Sequence, residues 1–133
     1  EAEQAYQNVI QEDSEKQYEK AQLNLGVLLK KQQRCAEAEQ AYQNVSPNGS
    51  AQQYAMAQFN LGILLYELKR FDEAKRAYKN VRPDGSPKHY AWAQWNLYWS
   101  FGKNKDYLAN IQKQHDLETY AEALFTLGEL EFD

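Results

Sequence analysis

The chain has 133 residues, of which 26% are charged, and carries a formal net charge of −4 at pH 7. This nearly balanced charge argues against a single-sign surface for nucleic acid or an anionic membrane. The apolar stretches also fall far short of the roughly 20 residues that a membrane span needs. Because Cys35 is the single cysteine, an internal disulfide and a cysteine-based zinc site are excluded.

The sequence repeats itself with a period of 36 residues. Asn24-Leu25-Gly26 recurs as Asn60-Leu61-Gly62, and residues 1–9 are identical to residues 37–45. Self-similarity at such a period predicts a solenoid, whose units bury their apolar faces against one another. We therefore expect one domain of about three and a half units over residues 1–133, with a half unit at 1–13, units at 14–49, 50–85 and 86–115, and a half unit at 116–133.

Each unit is predicted to be a helical hairpin, because apolar residues recur at helical spacing in two segments per unit. Ser14, Ser50 and Ser86 are expected N-caps of first helices, and Asp72 is the expected N-cap of a second helix. In chain order, the predicted helices span residues 1–9, 14–32, 36–44, 50–69, 72–80, 86–101, 105–114 and 118–133.

Two glycines are predicted to lie inside first helices. Gly26 and Gly62 occupy the same position of the repeat, where glycine costs about 1 kcal/mol relative to alanine. We expect close approach of the second helix to offset this cost, with the small side chains of Ala74 and Ala77 opposite.

One motif recurs along the chain and is most complete in residues 50–85. Asn60-Leu61-Gly62 is followed by Phe71-Asp72-Glu73-Ala74, and Tyr78 stands four residues after that alanine. This pattern resembles the tetratricopeptide repeat (TPR) family, specifically its bacterial-type members. The chain departs from the family in its period, since the usual period is 34, and in glutamines that replace a large aromatic residue, namely Gln22, Gln58 and Gln94.

The third unit departs further from the pattern. Tyr98 replaces the glycine, and Leu127 follows Leu97 after only 30 residues (127 minus 97). We expect a shortened linker to account for this spacing.

The resemblance implies an all-α fold, a right-handed superhelical solenoid of α-α hairpins, and a role as a protein-protein interaction scaffold. In that fold the first helices line a concave groove that binds a peptide or a helix of a partner. The residues expected to line it are Asn24, Met56, Phe59, Asn60, Ile63, Tyr66, Trp92, Trp95, Asn96 and Trp99.

Two alternatives remain open for these groove residues. The asparagines either hold a peptide backbone irrespective of its sequence, as the resemblance implies, or bond within their own helix. The tryptophans are either exposed in the groove or covered by residues 116–130.

No catalytic residue, metal site or cofactor is predicted. His89 and His115 are isolated from each other and from Cys35, and Cys35 is interpreted as a small, half-buried apolar side chain. An RNA-reading helical repeat would need a basic groove, whereas this groove is apolar. The expected partner is therefore a protein or peptide, without nucleic acid or membrane insertion.

Head-to-tail association of copies is the alternative to binding another protein. An apolar stripe with Ala2, Ala5, Tyr6 and Val9 lacks a preceding first helix, and the helix with Leu124, Leu127 and Gly128 lacks its second helix. Such complementary ends predict a heterologous contact that extends into a filament or ring.

The chain opens inside a unit, so we expect the native N-terminus to be absent. No signal peptide is visible, and the compartment is left open with the cytoplasm slightly favoured.

Overall fold

The computed structural model describes residues 2–5 and 15–128. Within these ranges all regular structure is α-helical, which confirms the predicted fold class. Residues 2–5 are helical, whereas the rest of the predicted helix 1–9 and the Ser14 cap lie outside the described residues. The helices that follow are α1 (Glu15–Lys31), α2 (Cys35–Gln43), α3 (Ala51–Glu67), α4 (Phe71–Lys79), α5 (Pro87–Ser100), α6 (Lys105–Ala109) and α7 (Leu117–Leu127).

The helices form a row of hairpins. Helix α1 packs on α2, α3 on α4, and α5 on α6. Each hairpin packs on the next, and the first helices α1, α3, α5 and α7 contact one another in sequence. This chain of nearest-neighbour contacts is the pattern expected of a helical repeat.

Apolar side chains of the first helices face the second helices. Leu61 and Leu65 are buried, as predicted, in a cluster with Ala74 and Ala77. Cys35 packs half-buried against the same cluster, which confirms its interpretation as an apolar side chain.

The two interior glycines lie against tyrosine rings. A Cβ atom on Gly62 would stand 2.7 Å from Cδ1 and Cε1 of Tyr78, and one on Gly26 would stand 2.5 Å from Cε1 of Tyr42. The predicted close packing is therefore confirmed. The atoms nearest to each glycine belong to the ring of the tyrosine.

A buried hydrogen bond explains the glutamines that replace the usual aromatic residue. In each hairpin an asparagine at the end of the second helix donates its Nδ2–H to the glutamine Oε1 of the first helix. The pairs are Asn44 with Gln22 at 3.1 Å, Asn80 with Gln58 at 3.0 Å, and Asn110 with Gln94 at 2.9 Å. The polar side chains are thus satisfied inside the hairpin.

The same bonds locate the shortening of the third unit. The bonded residues are 22 apart in the first two hairpins and 16 apart in the third, a difference of six. From this asparagine to the next N-cap, the chain advances six residues each time, from Asn44 to Ser50, Asn80 to Ser86 and Asn110 to Asp116. The expected shortened linker is therefore wrong: the missing residues lie within the third hairpin, where α6 spans only Lys105–Ala109.

Serine caps form at two predicted boundaries. Ser50 Oγ accepts a hydrogen bond from the backbone N–H of Gln53, and Ser86 Oγ accepts one from His89. The reciprocal half of the capping box at Ser50 does not form. Its backbone N–H donates instead to Glu19, and Gln53 Oε1 is buried without a hydrogen bond in the described part of the chain.

Three predicted helix ends are wrong, and the first is that of α6, which ends at Ala109 instead of residue 114. Helix α4 begins at Phe71 with Arg70 at the N-cap position, because the tight turn through Lys69 (φ 63°) starts the helix before the expected cap, Asp72. Helix α7 ends at Leu127, since Gly128 adopts a left-handed φ of 80°. Residues 129–133 of the predicted helix lie outside the described residues.

Candidate functional site

The predicted groove residues lie on helices α1, α3 and α5, and we call them the first-helix face. Tyr66 and Trp99 are exposed and Phe59 is buried. The half-buried members are Asn24, Met56, Asn60, Ile63, Trp92, Trp95 and Asn96.

Phe59 belongs to the core, contrary to its predicted place on the groove surface. It is only 9% exposed, because α5 covers it with His89 and Trp92 at centroid distances of 5.4 and 5.9 Å. Burial, followed by the charge of Lys88, lowers the pKa of His89. Phe59 thus packs against Trp92 and does not face solvent.

Two tryptophans of α5 form an aromatic pair at the surface. The Trp95 and Trp99 rings are 5.7 Å apart, and Lys103 Nζ lies 5.3 Å from the Trp99 centroid. Trp95 also packs against the core cluster that includes Ala123 of α7. The two alternatives for the tryptophans are therefore both realised in part: α7 packs beside Trp95, whereas Trp99 remains 46% exposed.

A pocket of about 370 Å³ opens between α1, α2 and α3. It presents apolar groups from Val27 and Ile63 and polar groups from Asn60 and Tyr42. Burial raises the pKa of Tyr42 to about 12, so its hydroxyl is protonated at neutral pH. Lys30 and Lys31 complete the pocket, and Lys30 pairs with Glu67 at 3.0 Å.

The three repeat asparagines differ in their bonding. Asn96 Nδ2 donates to the Tyr78 hydroxyl at 3.4 Å, across to the preceding hairpin and not within its own helix. The side-chain amides of Asn24 and Asn60 have no hydrogen-bond partner among residues 2–5 and 15–128. An amide of this kind can both donate to and accept from another backbone.

Tyr66 stands apart from the tryptophans in an aromatic cluster at the end of α3. Its ring contacts Phe71 at 5.0 Å and Phe101 at 5.9 Å, measured between centroids. The cluster links the ends of neighbouring hairpins.

Sequence reasoning missed two carboxylates beside the tryptophans. Glu118 and Glu122 of α7 line a cleft of about 740 Å³ together with Trp92 and Trp95 of α5. The signal was available in the repeat, because position 122 follows position 92 by the same 30 residues that separate Leu97 from Leu127.

The residues that the structure describes hold neither a group of side chains placed to bind a metal ion nor a helix that could span a membrane. They include no group of three or more His, Cys, Asp or Glu residues placed to hold a metal ion. None of the helices within 2–5 and 15–128 has the length and apolar character needed to cross a bilayer.

Comparison with known proteins identifies the repeat. The family model described as tetratricopeptide repeat matches residues 56–82, which include most of α3 and all of α4. No curated protein and no solved structure gives a significant match to the chain. The hairpins before and after the matched segment repeat its glutamine-asparagine bond. Residues 56–82 are thus identified as a tetratricopeptide repeat, and repeats of this family typically serve as non-catalytic protein-interaction modules.

Proposed function

We propose that the chain binds a peptide or a helix of a partner protein across the first-helix face. The observation that carries this proposal is the 46% exposure of Trp99 beside Trp95. Exposed aromatic surface of this kind is typical of interaction sites, and tryptophan is prominent among the residues that dominate binding energy.

The pocket at Asn60 supplies a second anchor for the same segment. Its apolar wall suits an aliphatic side chain of the partner, and the unpaired Asn60 amide suits a backbone N–H and C=O. Burial of an apolar side chain contributes about 25 cal/mol per Å². An anchor side chain plus backbone hydrogen bonds gives affinity with tolerance for the partner's sequence.

Trp99→Ala is expected to lower the affinity for a bound peptide about thirtyfold, a loss of about 2 kcal/mol that is typical of a dominant interface residue. Peptides selected by display against the intact chain provide the ligand, and isothermal titration measures its dissociation constant.

Leu68→Ala is the matched control, because Leu68 is 40% exposed but lies in the turn after α3. It is expected to leave the affinity within about twofold. Circular dichroism should show unchanged helix content in both variants. Equal affinity of Trp99→Ala and the natural chain would contradict the proposal, and salt-sensitive binding of single-stranded RNA would favour the RNA-reading alternative.

Head-to-tail association is a second candidate, favoured by a cleft of about 400 Å³ between α6 and α7 that Leu124 and Leu127 line together with polar residues of the loop after α6. Leu124 in this cleft occupies the repeat position of Gln94, so an added helix would meet an apolar side chain there. Light scattering tests this candidate by measuring molar mass against concentration. A mass that rises with concentration in the natural chain but stays constant in Leu124→Asp supports head-to-tail association. A constant monomer mass in the natural chain contradicts it.

A further inference from the structure

We infer that the cleft between α5 and α7 holds an arginine side chain of the protein segment bound on the first-helix face. This inference deepens the proposed function and rests on it. The cleft lies at the end of the first-helix face, where Trp92 and Trp95 meet α7.

The lining of the cleft combines aromatic rings with negative charge. Trp92 and Trp95 form one wall, and Glu118 and Glu122 stand on the other. The two carboxylates are four residues apart on α7, which places them on one side of the helix. Neither has an ion-pair partner within the described ranges, and both are exposed. The volume of about 740 Å³ is ample for one long side chain and its hydration.

Nearby charges do not neutralise these carboxylates. Lys88 Nζ lies 5.4 Å from the Trp92 centroid and forms no ion pair with Glu118 or Glu122. Asp116 is already engaged as the cap of α7, since it accepts hydrogen bonds from the backbone N–H and hydroxyl of Thr119. The hydrogen bonds from Thr119, and more weakly the charge of Lys88, lower the pKa of Asp116. Glu118 and Glu122 are left as uncompensated negative charge.

The chain already places cations over its other tryptophans. Lys88 lies over Trp92, and Lys103 lies over Trp99 at 5.3 Å. Trp95 has no lysine or arginine over its ring among residues 2–5 and 15–128. A cation above an indole face is attracted by the ring quadrupole, and the part of Trp95 that lines the cleft stands beside two carboxylates without such a cation.

The repeat position of Glu122 also fixes where along the partner the basic residue lies. The equivalent residues in successive first helices are Lys20, Met56, Trp92 and Glu122. The face thus changes from positive at α1 to negative at α7. Arginine suits the negative end better than lysine, because a planar guanidinium stacks on indole while it donates two hydrogen bonds to a carboxylate.

N-acetyl-arginine amide and N-acetyl-citrulline amide are the probes, because they share a shape and differ in charge. Each is titrated into the ¹⁵N-labelled chain, and the indole N–H signals are followed by NMR after assignment with single Trp→Phe variants. The arginine probe is expected to shift the Trp92 and Trp95 signals, with the citrulline probe binding about tenfold more weakly.

Glu118→Gln combined with Glu122→Gln should weaken the arginine probe about tenfold. Asp72→Asn combined with Asp84→Asn is the matched control, because it removes the same two charges from exposed positions outside the cleft and should leave binding unchanged. Equal binding of the two probes, equal loss in both double variants, or shifts confined to signals outside the cleft would each overturn the inference.

The display-selected peptide separates this inference from the function on which it rests. If Trp99→Ala weakens that peptide while the Glu118/Glu122 double variant does not, partner binding stands and the arginine subsite is overturned. If Trp99→Ala and the Glu118/Glu122 double variant both weaken binding of the peptide, and the Asp72/Asp84 double variant does not, the arginine subsite is supported. If Trp99→Ala has no effect, the proposed function itself fails.

Discussion

Tyr78→Ala is expected to lower the free energy of unfolding by about 4 kcal/mol, in the range found for removal of a large buried side chain. The Tyr78 ring is 3% exposed and lies against Phe59 and Phe101, with centroid distances of 6.0 and 6.4 Å. Its hydroxyl also accepts the bond from Asn96. Urea denaturation followed by circular dichroism measures the change.

Tyr66→Ala is the control for this loss. Tyr66 is 38% exposed, so its truncation should cost about 1 kcal/mol or less. Equal destabilisation by the two substitutions would contradict the assignment of Tyr78 to the core between hairpins.

A double-mutant cycle tests whether the ring of Tyr78 is the reason for Gly62. In the natural chain, Gly62→Ala gains about 1 kcal/mol of helix propensity but forces a Cβ atom to 2.7 Å from the ring. Such overpacking costs about 1–3 kcal/mol, so a net loss is expected. In the Tyr78→Ala background the same change should stabilise by about 1 kcal/mol. If Gly62→Ala changes the free energy of unfolding in the same direction in both backgrounds, the ring of Tyr78 is not the reason for Gly62.

Glu19→Ala is expected to lower the free energy of unfolding by about 3 kcal/mol. Buried hydrogen bonds to a charged group contribute about 1.5–3 kcal/mol each, and their loss leaves the donor N–H groups without an acceptor. Glu19 is 1% exposed, and its Oε2 and Oε1 accept the backbone N–H of Ser46 at 2.9 Å and of Ser50 at 2.7 Å. The carboxylate therefore holds the turn that joins the first two complete hairpins.

Hydrogen exchange reports this loss locally. The Ser46 and Ser50 amides should lose protection in Glu19→Ala, while those near Ser86 keep it, because a repeat protein transmits stability through neighbouring units. Glu67→Ala removes an exposed carboxylate and serves as the control, with an expected change below about 1 kcal/mol. Full protection of Ser50 in Glu19→Ala would contradict the role assigned to Glu19.

The sequence predicted the features that depend on local periodicity. The 36-residue repeat located the hairpins, and Ser50 and Ser86 marked two helix starts, because an N-cap is a local device. The burial of Leu61 and Leu65 followed from helical spacing alone.

Features set by packing between units were not predictable in this way. Phe59 points to the groove side of α3 by helical angle, but the next hairpin covers it with Trp92, and no local pattern encodes that cover. The partner of Gly62 depends on the rotamer of a residue 16 positions away, Tyr78. The equivalence of Glu122 and Trp92 follows from the 30-residue offset of the last unit, but the packing that brings both residues to one cleft does not.

Chemical-shift mapping of the chain during titration with a display-selected peptide tests most directly whether the first-helix face is the binding surface. We expect the Trp99 indole N–H and the Asn60 side-chain amide to shift in proportion to the bound fraction, while the side-chain amide of Asn80, bonded inside its hairpin, does not. Shifts confined to signals outside the first-helix face, with Trp99 and Asn60 unchanged at saturation, would contradict the account.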